Sequence, residues 1–251
     1  MYEERILAFI DVLGFSNHIK ETIQNDGTEC ENKTGMINQL LKDIHCTANN
    51  WFLSTKYLPP KSKITNQFSD SIIISYLNAG ESEIEQIIFD VYLICTMAIQ
   101  NDFLLRGTVV CDKVYHGKDQ IFGPALVKAV NMEKSIAIYP RIILDDSILK
   151  DIDINKLPFP ELVLKDFDGL YYINYFDKPE TGVDIGLNGE LRHIMCLYNI
   201  INKYYSQKKS KEIADMNVEI KFSWMKEKYN DTINKLKNKY KDFNSQLINI
   251  V

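Results

Sequence analysis

Two apolar runs, Ile64 to Phe68 and Ser71 to Leu77, stand only two residues apart, with Ser69 and Asp70 between them. Runs so closely spaced read as two strands of a hairpin, and that hairpin carries an acid at its tip. A second acid holds a comparable position near the start of the chain. Arg5 to Val12 is a β-rich apolar run that breaks at Gly14, and helical spacing resumes from Phe15 to Ile23, so strand, tight turn and helix start follow one another beside Asp11. Each carboxylate is thus expected at the end or turn of an apolar strand. Two aspartates placed in that way could meet and share divalent cations.

The remaining punctuation extends this frame. Asn25-Asp26-Gly27 marks a turn, Met36, Leu40, Leu41 and Ile44 recur at helical intervals, and Pro59-Pro60 closes that unit. Ile84, Ile87, Ile88, Val91, Leu93 to Cys95 and Ala98 suit a buried helix. Phe103 to Tyr115 is β-rich and interrupted by Gly107, and Gly123-Pro124 opens a helix carrying Leu126, Ala129, Val130 and Met132. Pro140 to Leu144 is a strand, and Glu161 to Lys165 with Leu170 to Phe176 form a last hairpin turning at Asp168-Gly169. The order β, α, α, β, β, α, β, α, β and a final β pair predicts an α+β fold. Helices are expected on one face of a mainly antiparallel sheet, rather than around a doubly wound parallel one. From about Gly189 the character changes to amphipathic helix with interleaved Lys and Glu, read through Leu191, Met195, Leu197, Tyr198 and Ile201 and again through Ile213, Met216, Ile220, Trp224, Tyr229, Ile233 and Leu236. Two regions follow, a main domain over 1–180 and a helical C-terminal extension over 181–251, whose charges read as a solvated helix face.

Composition removes several classes of function. With a formal net charge of -5, the chain lacks the broad basic footprint of a nucleic-acid coat. Met1 to Arg5 has neither the basic start nor the long apolar region of a secretory signal, and no run approaches the roughly 20 apolar residues that cross a bilayer, so a cytoplasmic protein with no membrane partner is expected. Five widely spaced cysteines without a C-x-x-C pair indicate neither a disulfide framework nor a zinc site. The four histidines show no H-x-x-x-H or H-E-x-x-H spacing, no G-x-x-x-x-G-K-[ST] loop occurs, and Leu13 stands where a haloacid dehalogenase-type phosphatase carries its second Asp.

The motifs resemble the catalytic domain of the class III nucleotidyl (adenylate and guanylate) cyclases over roughly residues 5 to 177. Phe9-Ile10-Asp11-Val12-Leu13-Gly14-Phe15 is similar to the family's first metal motif, F-x-D-I-x-G-F, and Phe68-Ser69-Asp70-Ser71 sits where the family has its second metal aspartate in a β-hairpin. Arg106-Gly107 resembles the R-x-G strand. Phe122-Gly123 with Met132-Glu133 resembles the W-G-N-x-x-N-x-x-x-R-M-E helix, and Leu164-Lys165-Asp166 the V-K-G strand. In style the chain looks most like small stand-alone bacterial cyclase-like proteins, some of which are pyrimidine cyclases of phage defence.

The resemblance implies a ferredoxin-like cyclase fold, a nucleoside triphosphate substrate, and two Mg or Mn ions per site held by Asp11, Asp70 and the Val12 carbonyl. It also implies backbone N–H groups around Leu13, Gly14 and Phe15 that meet phosphate, and Arg106 and Lys165 as triphosphate clamps. Because the family's site lies between two catalytic domains, a homodimer is implied. Cyclisation drives the ribose 3'-hydroxyl onto its own α-phosphate while pyrophosphate departs, and the negative charge that builds up calls for cations. The chain departs from the pattern in two places. Val127 and Asn131 stand where the family has its transition-state Asn and Arg, leaving Asn131 as an uncharged hydrogen-bond donor and Lys128 as the nearest cation. Asn66 and Gln120 fall at the base-selecting positions, where neutral amides name no base. Arg106 could equally close a structural ion pair. Two readings stay open: a cyclase, plausible as a bacterial antiviral signal generator, or a degenerate cyclase-fold protein that binds nucleotide as a sensor.

Overall fold

A near-continuous apolar sequence from Ile6 to Val12 suits a strand covered on both faces, and it forms β1 (Glu3–Val12), which lies inside an eight-stranded sheet. The computed structural model describes residues 1–50, 61–150, 152–177, 186–208, 216–240 and 248–250. The chain divides into two units, Met1–Asn174 and Tyr175–Val251. In the first unit β1 lies between β3 (Ser71–Leu77) and β4 (Leu105–His116), both antiparallel to it. Beyond β3 comes β2 (Ile64–Phe68); beyond β4 come β6 (Ile142–Leu144), β8 (Tyr171–Ile173) and β7 (Val163–Lys165), while the short β5 (Ile121–Phe122) pairs with the far end of β4. The β4–β6 pair is parallel and the others are antiparallel, so the sheet is mixed but mostly antiparallel. The hairpin expected at Ser69-Asp70 forms with Phe68 opposite Ser71, and Ser69 takes the left-handed conformation at φ 53°.

Alternation along β1 decides what covers each face. Ile6 lies opposite Tyr76, whose hydroxyl donates to Asp90 at 2.6 Å on α3 (Glu81–Gln100), a helix buried nearly all round. Leu7 points the other way and packs with Ile73, Val110 and Val114 against Ala125 and Ala129 of α4 (Pro124–Ser135). The helices therefore occupy both faces, not one as the element order suggested. A one-sided arrangement would leave Leu7, Ile73 and Val110 facing water. α2 (Glu31–Asn49) adjoins α3 and β2. The six-residue α1 (Phe15–Lys20) follows the β1 turn, and the short α5 (Asp146–Leu149) and β5 were not legible in the sequence. Pro59-Pro60, Ile213 and a boundary between 180 and 181 lie outside the described residues.

Gly107 permits the β1–β4 contact. A Cβ built on it would lie 2.2 Å from the Phe9 carbonyl oxygen and 3.0 Å from the Ile10 Cα. Both obstacles are backbone of a central strand and cannot swing aside. Gly107→Ala is expected to destabilise the protein by about 3 kcal/mol or more, the upper end of overpacking costs. Urea unfolding checks this, and unchanged stability would contradict the close pairing.

The second unit is built on α6 (Gly186–Lys208) and α7 (Met216–Lys239). Tyr204 stacks on Phe222 with centroids 4.1 Å apart, and Phe176 meets Trp224 edge-on at 5.6 Å. Asn230 on α7 exchanges two hydrogen bonds with the Ile250 backbone, at 2.8 and 2.9 Å. Among the described residues no helix is long and apolar enough to cross a membrane.

Candidate functional site

Leu7, Phe9 and Asp11 succeed one another on the face of β1 that α4 covers, so the apolar stripe ends in a carboxylate at the strand's C-terminal end. Directly beside Asp11 stand Ser71 on β3 and Arg106 on β4. The Ser71 hydroxyl donates to Asp11 Oδ1 at 3.1 Å, and Arg106 Nη2 lies 3.9 Å from Asp11 Oδ2. Asp70 adjoins the same corner: its carbonyl accepts from the Val12 N–H at 3.3 Å. The two aspartates singled out in the sequence are thus brought together. A third acid joins them. Glu133 on α4 is 2 % exposed and forms a close ion pair with Arg106 Nε.

This crowding of acids shows in the protonation of Asp11, whose pKa rises to about 6. Burial is the largest cause and the Asp70 charge the next; the Ser71 hydrogen bond opposes them, Glu133 adds a smaller push upward, and Arg106 a smaller pull downward. Between the ordinary 3.8 and about 6 the folded chain keeps a proton that the unfolded chain releases. The contribution of this group to stability is fully present below the lower value and is lost as pH rises through the upper one. Asp11→Asn, an uncharged mimic, should flatten that slope and raise the unfolding temperature at neutral pH in the absence of divalent cations. Thermal unfolding over a pH series checks it; parallel wild-type and variant curves would remove Asp11 from the acidic field.

The turn after Asp11 is held at both sides. The Leu13 N–H donates to the Leu104 carbonyl at 2.8 Å, and Gly14 takes φ 73°, a left-handed conformation that favours glycine. Its carbonyl accepts from the Asn17 and His18 N–H groups at 2.9 and 3.3 Å, and Phe15, the first residue of α1, is buried.

Other candidates are placed elsewhere or are already engaged. Asn131 is exposed on α4, and its backbone carbonyl accepts from the Ser135 hydroxyl at 2.7 Å. Lys128, the nearest cation in sequence, pairs closely with Asp145. Lys165 lies at the exposed end of β7, separated from β1 in the sheet by β4, β6 and β8, with its ammonium 5.5 Å from the centroid of the Tyr171 ring. Gln120 is exposed between β4 and β5, where its carbonyl accepts from the Gly117 N–H at 2.9 Å.

Asn66 is buried in a directional chain of hydrogen bonds. Arg5 Nε donates to the Ser75 hydroxyl at 2.8 Å, which lies 2.7 Å from His116 Nδ1; His116 Nε2 contacts Asn66 Oδ1, and Asn66 Nδ2 donates to the Lys118 carbonyl at 2.7 Å. Burial, and secondarily Arg5, lower the His116 pKa to about 4, so the ring is neutral and donates from Nε2. An amide held at both ends in this way is an internal strut.

Glu133 is the member of the site to which the sequence reading gave no role. A signal was present, because Ala125, Ala129 and Glu133 recur every four residues and so share the sheet-facing side of α4. The donor set of Asp11, Asp70 and the Val12 carbonyl is all oxygen, the chemistry that Mg and Mn prefer. Among the described residues no group of three or more His, Cys, Asp or Glu side chains converges closely enough to hold a metal by itself. Comparison of the sequence with protein-family models, and with functionally described proteins, returns no match.

Proposed function

We propose that this chain is a metal-dependent nucleotidyl cyclase-like protein that converts a ribonucleoside triphosphate to a 3',5'-cyclic nucleotide and pyrophosphate, acting as a homodimer in bacterial, antiphage-type signalling. One observation carries the reading: Asp11 at the end of β1 and Asp70 in the turn that leads into the neighbouring β3, 59 positions apart in the chain, adjoin at one corner of the sheet, with the Asp70 charge raising the Asp11 pKa. Mutually repelling carboxylates of this kind gain from a cation. Asp11, Asp70 and the Val12 carbonyl would hold Mg or Mn, which when bound would polarise the attacking hydroxyl and neutralise the leaving pyrophosphate. Of the N–H groups around the start of α1, those of Leu13, Asn17 and His18 already donate to backbone carbonyls, so a phosphate oxygen would be met by Phe15 and Ser16.

A second reading, nucleotide capture without turnover, is favoured by a separate observation. Arg106, the cation beside Asp11, is committed to Glu133, Lys128 on α4 is committed to Asp145, and the exposed Asn131 carries no charge. Incubation with each of the four ribonucleoside triphosphates and Mn²⁺ or Mg²⁺, followed by mass spectrometry and by calorimetric titration, separates the two. Cyclic product supports the enzyme, binding without product supports the sensor, and neither product nor binding rejects both.

A further inference from the structure

Arg106 is held in an unusual place for a phosphate ligand. Its Nε is paired with the buried Glu133, while its Nη2 lies 3.9 Å from Asp11, so the guanidinium spans these two acids. Neutralising an acidic corner is what a divalent cation would also do, and two positive charges cannot share such a corner cheaply, since like charges within a few ångströms repel strongly in a partly buried setting. Glu133 is well suited to keep the arginine near without releasing it to solvent. It is almost wholly buried, it follows Ala125 and Ala129 on the sheet-facing side of α4, and that helix is fixed against β1 and β4 by the Leu7, Ile73 and Val110 cluster. The Thr108 hydroxyl adds a hydrogen bond to the Ala129 carbonyl at 3.0 Å, one turn before Glu133. Opposite Arg106, Ser71 holds the other oxygen of Asp11.

We propose that Arg106 is a resident counter-ion of the carboxylate corner, tethered by Glu133, that competes with the divalent cation and is displaced from Asp11 when the cation enters. The inference rests on Asp11 and Asp70 forming a cation site. Its consequence is a coupled exchange: cation entry turns the guanidinium away from Asp11 while Glu133 keeps it within reach of an incoming anion, so metal and triphosphate favour each other's binding. Arg106 is then a positioning residue whose removal tightens cation binding in the nucleotide-free protein, whereas a simple phosphate clamp would leave that binding unchanged.

The test is Mn²⁺ titration of the full, nucleotide-free chain, with free Mn²⁺ read from its electron paramagnetic resonance signal, for wild type, Arg106→Gln and Asp70→Asn. Arg106→Gln is expected to bind Mn²⁺ about tenfold tighter than wild type, within the usual range of coupling between two sites. Asp70→Asn is expected to lose the binding. Equal or weaker Mn²⁺ affinity in Arg106→Gln, with wild-type binding still dependent on Asp70, overturns the counter-ion and leaves the cation site standing. Absence of Asp70-dependent binding in both wild type and Arg106→Gln overturns the cation site and the counter-ion together. A second measurement needs no Arg106 variant. The chain has four arginines, Arg5, Arg106, Arg141 and Arg192, and Mg²⁺ titration of wild type should shift one arginine ¹⁵Nε–H resonance, the same one that Glu133→Gln displaces. Saturating Mg²⁺ binding without that shift overturns the proposal.

Discussion

Asp70→Asn is expected, on the cyclase reading proposed above, to reduce cyclic-nucleotide formation by at least about 10²–10³-fold, the loss typical of removing one electrostatic partner from a transition state. The fold should survive the change. Asp70 contributes to the hairpin through its backbone carbonyl, which accepts from Val12, and Asn keeps both that carbonyl and the side-chain volume. The neighbouring left-handed position belongs to Ser69, so the substitution places no strained residue. What changes is one negative charge beside Asp11. Removing it should also lower the Asp11 pKa toward the ordinary carboxylate range, because Asp70 is the largest charge effect on that group. Activity and protonation therefore move together, which separates a site effect from unfolding. Full activity in Asp70→Asn would sink the enzyme reading, and so would product formation that needs no divalent cation.

The sequence made this corner visible because one acid stands near the end of a strongly apolar strand and the other in the turn between two such strands, and alternation with turn chemistry then fixes where each strand ends. The same local signals recover the 64–77 hairpin and the one that turns at Asp168-Gly169. Orientation on α4 was harder to read. Asn131 follows the buried Ala129 by two residues, about 200° around a helix, which carries it to the solvent side, whereas Glu133 follows by four and returns to the sheet. Motif position alone had favoured Asn131. Partners distant in sequence were not legible at all. Nothing near Asn66 announces that His116 and Lys118 will bond its amide, and nothing in Leu164-Lys165-Asp166 announces that its aspartate serves Arg141. Such pairings depend on which strands become neighbours. Cover on both sheet faces was implicit in the unbroken apolar run of β1, and it is α4 on the second face that brings Glu133 to Arg106.

Arg141→Ala should cost about 3–5 kcal/mol, the penalty for removing one partner of a buried ion pair. The Arg141 side chain is fully buried, paired closely with Asp166 and Asp168, and its guanidinium carbon lies 5.0 Å from the Tyr139 ring centroid and 6.0 Å from that of Tyr172. Asp166 has no exposed side-chain surface, so the truncation leaves a carboxylate in an apolar setting with its principal countercharge gone. The pair need not be net stabilising for this to hold, since desolvation of both charges offsets much of their attraction. A double variant, Arg141→Met with Asp166→Leu, is therefore expected to regain most of the loss. Location gives the effect a functional side. The Arg141 carbonyl accepts from the Gly107 N–H at 3.2 Å, immediately after Arg106, so the cluster pins the seam of β4 and β6 beside the acidic corner. Loosening that seam should weaken Asp70-dependent Mn²⁺ binding in Arg141→Ala even below its unfolding temperature. Urea denaturation checks the stability term, and a loss under about 1 kcal/mol would place the Arg141 cluster in water, at the scale of an exposed salt bridge.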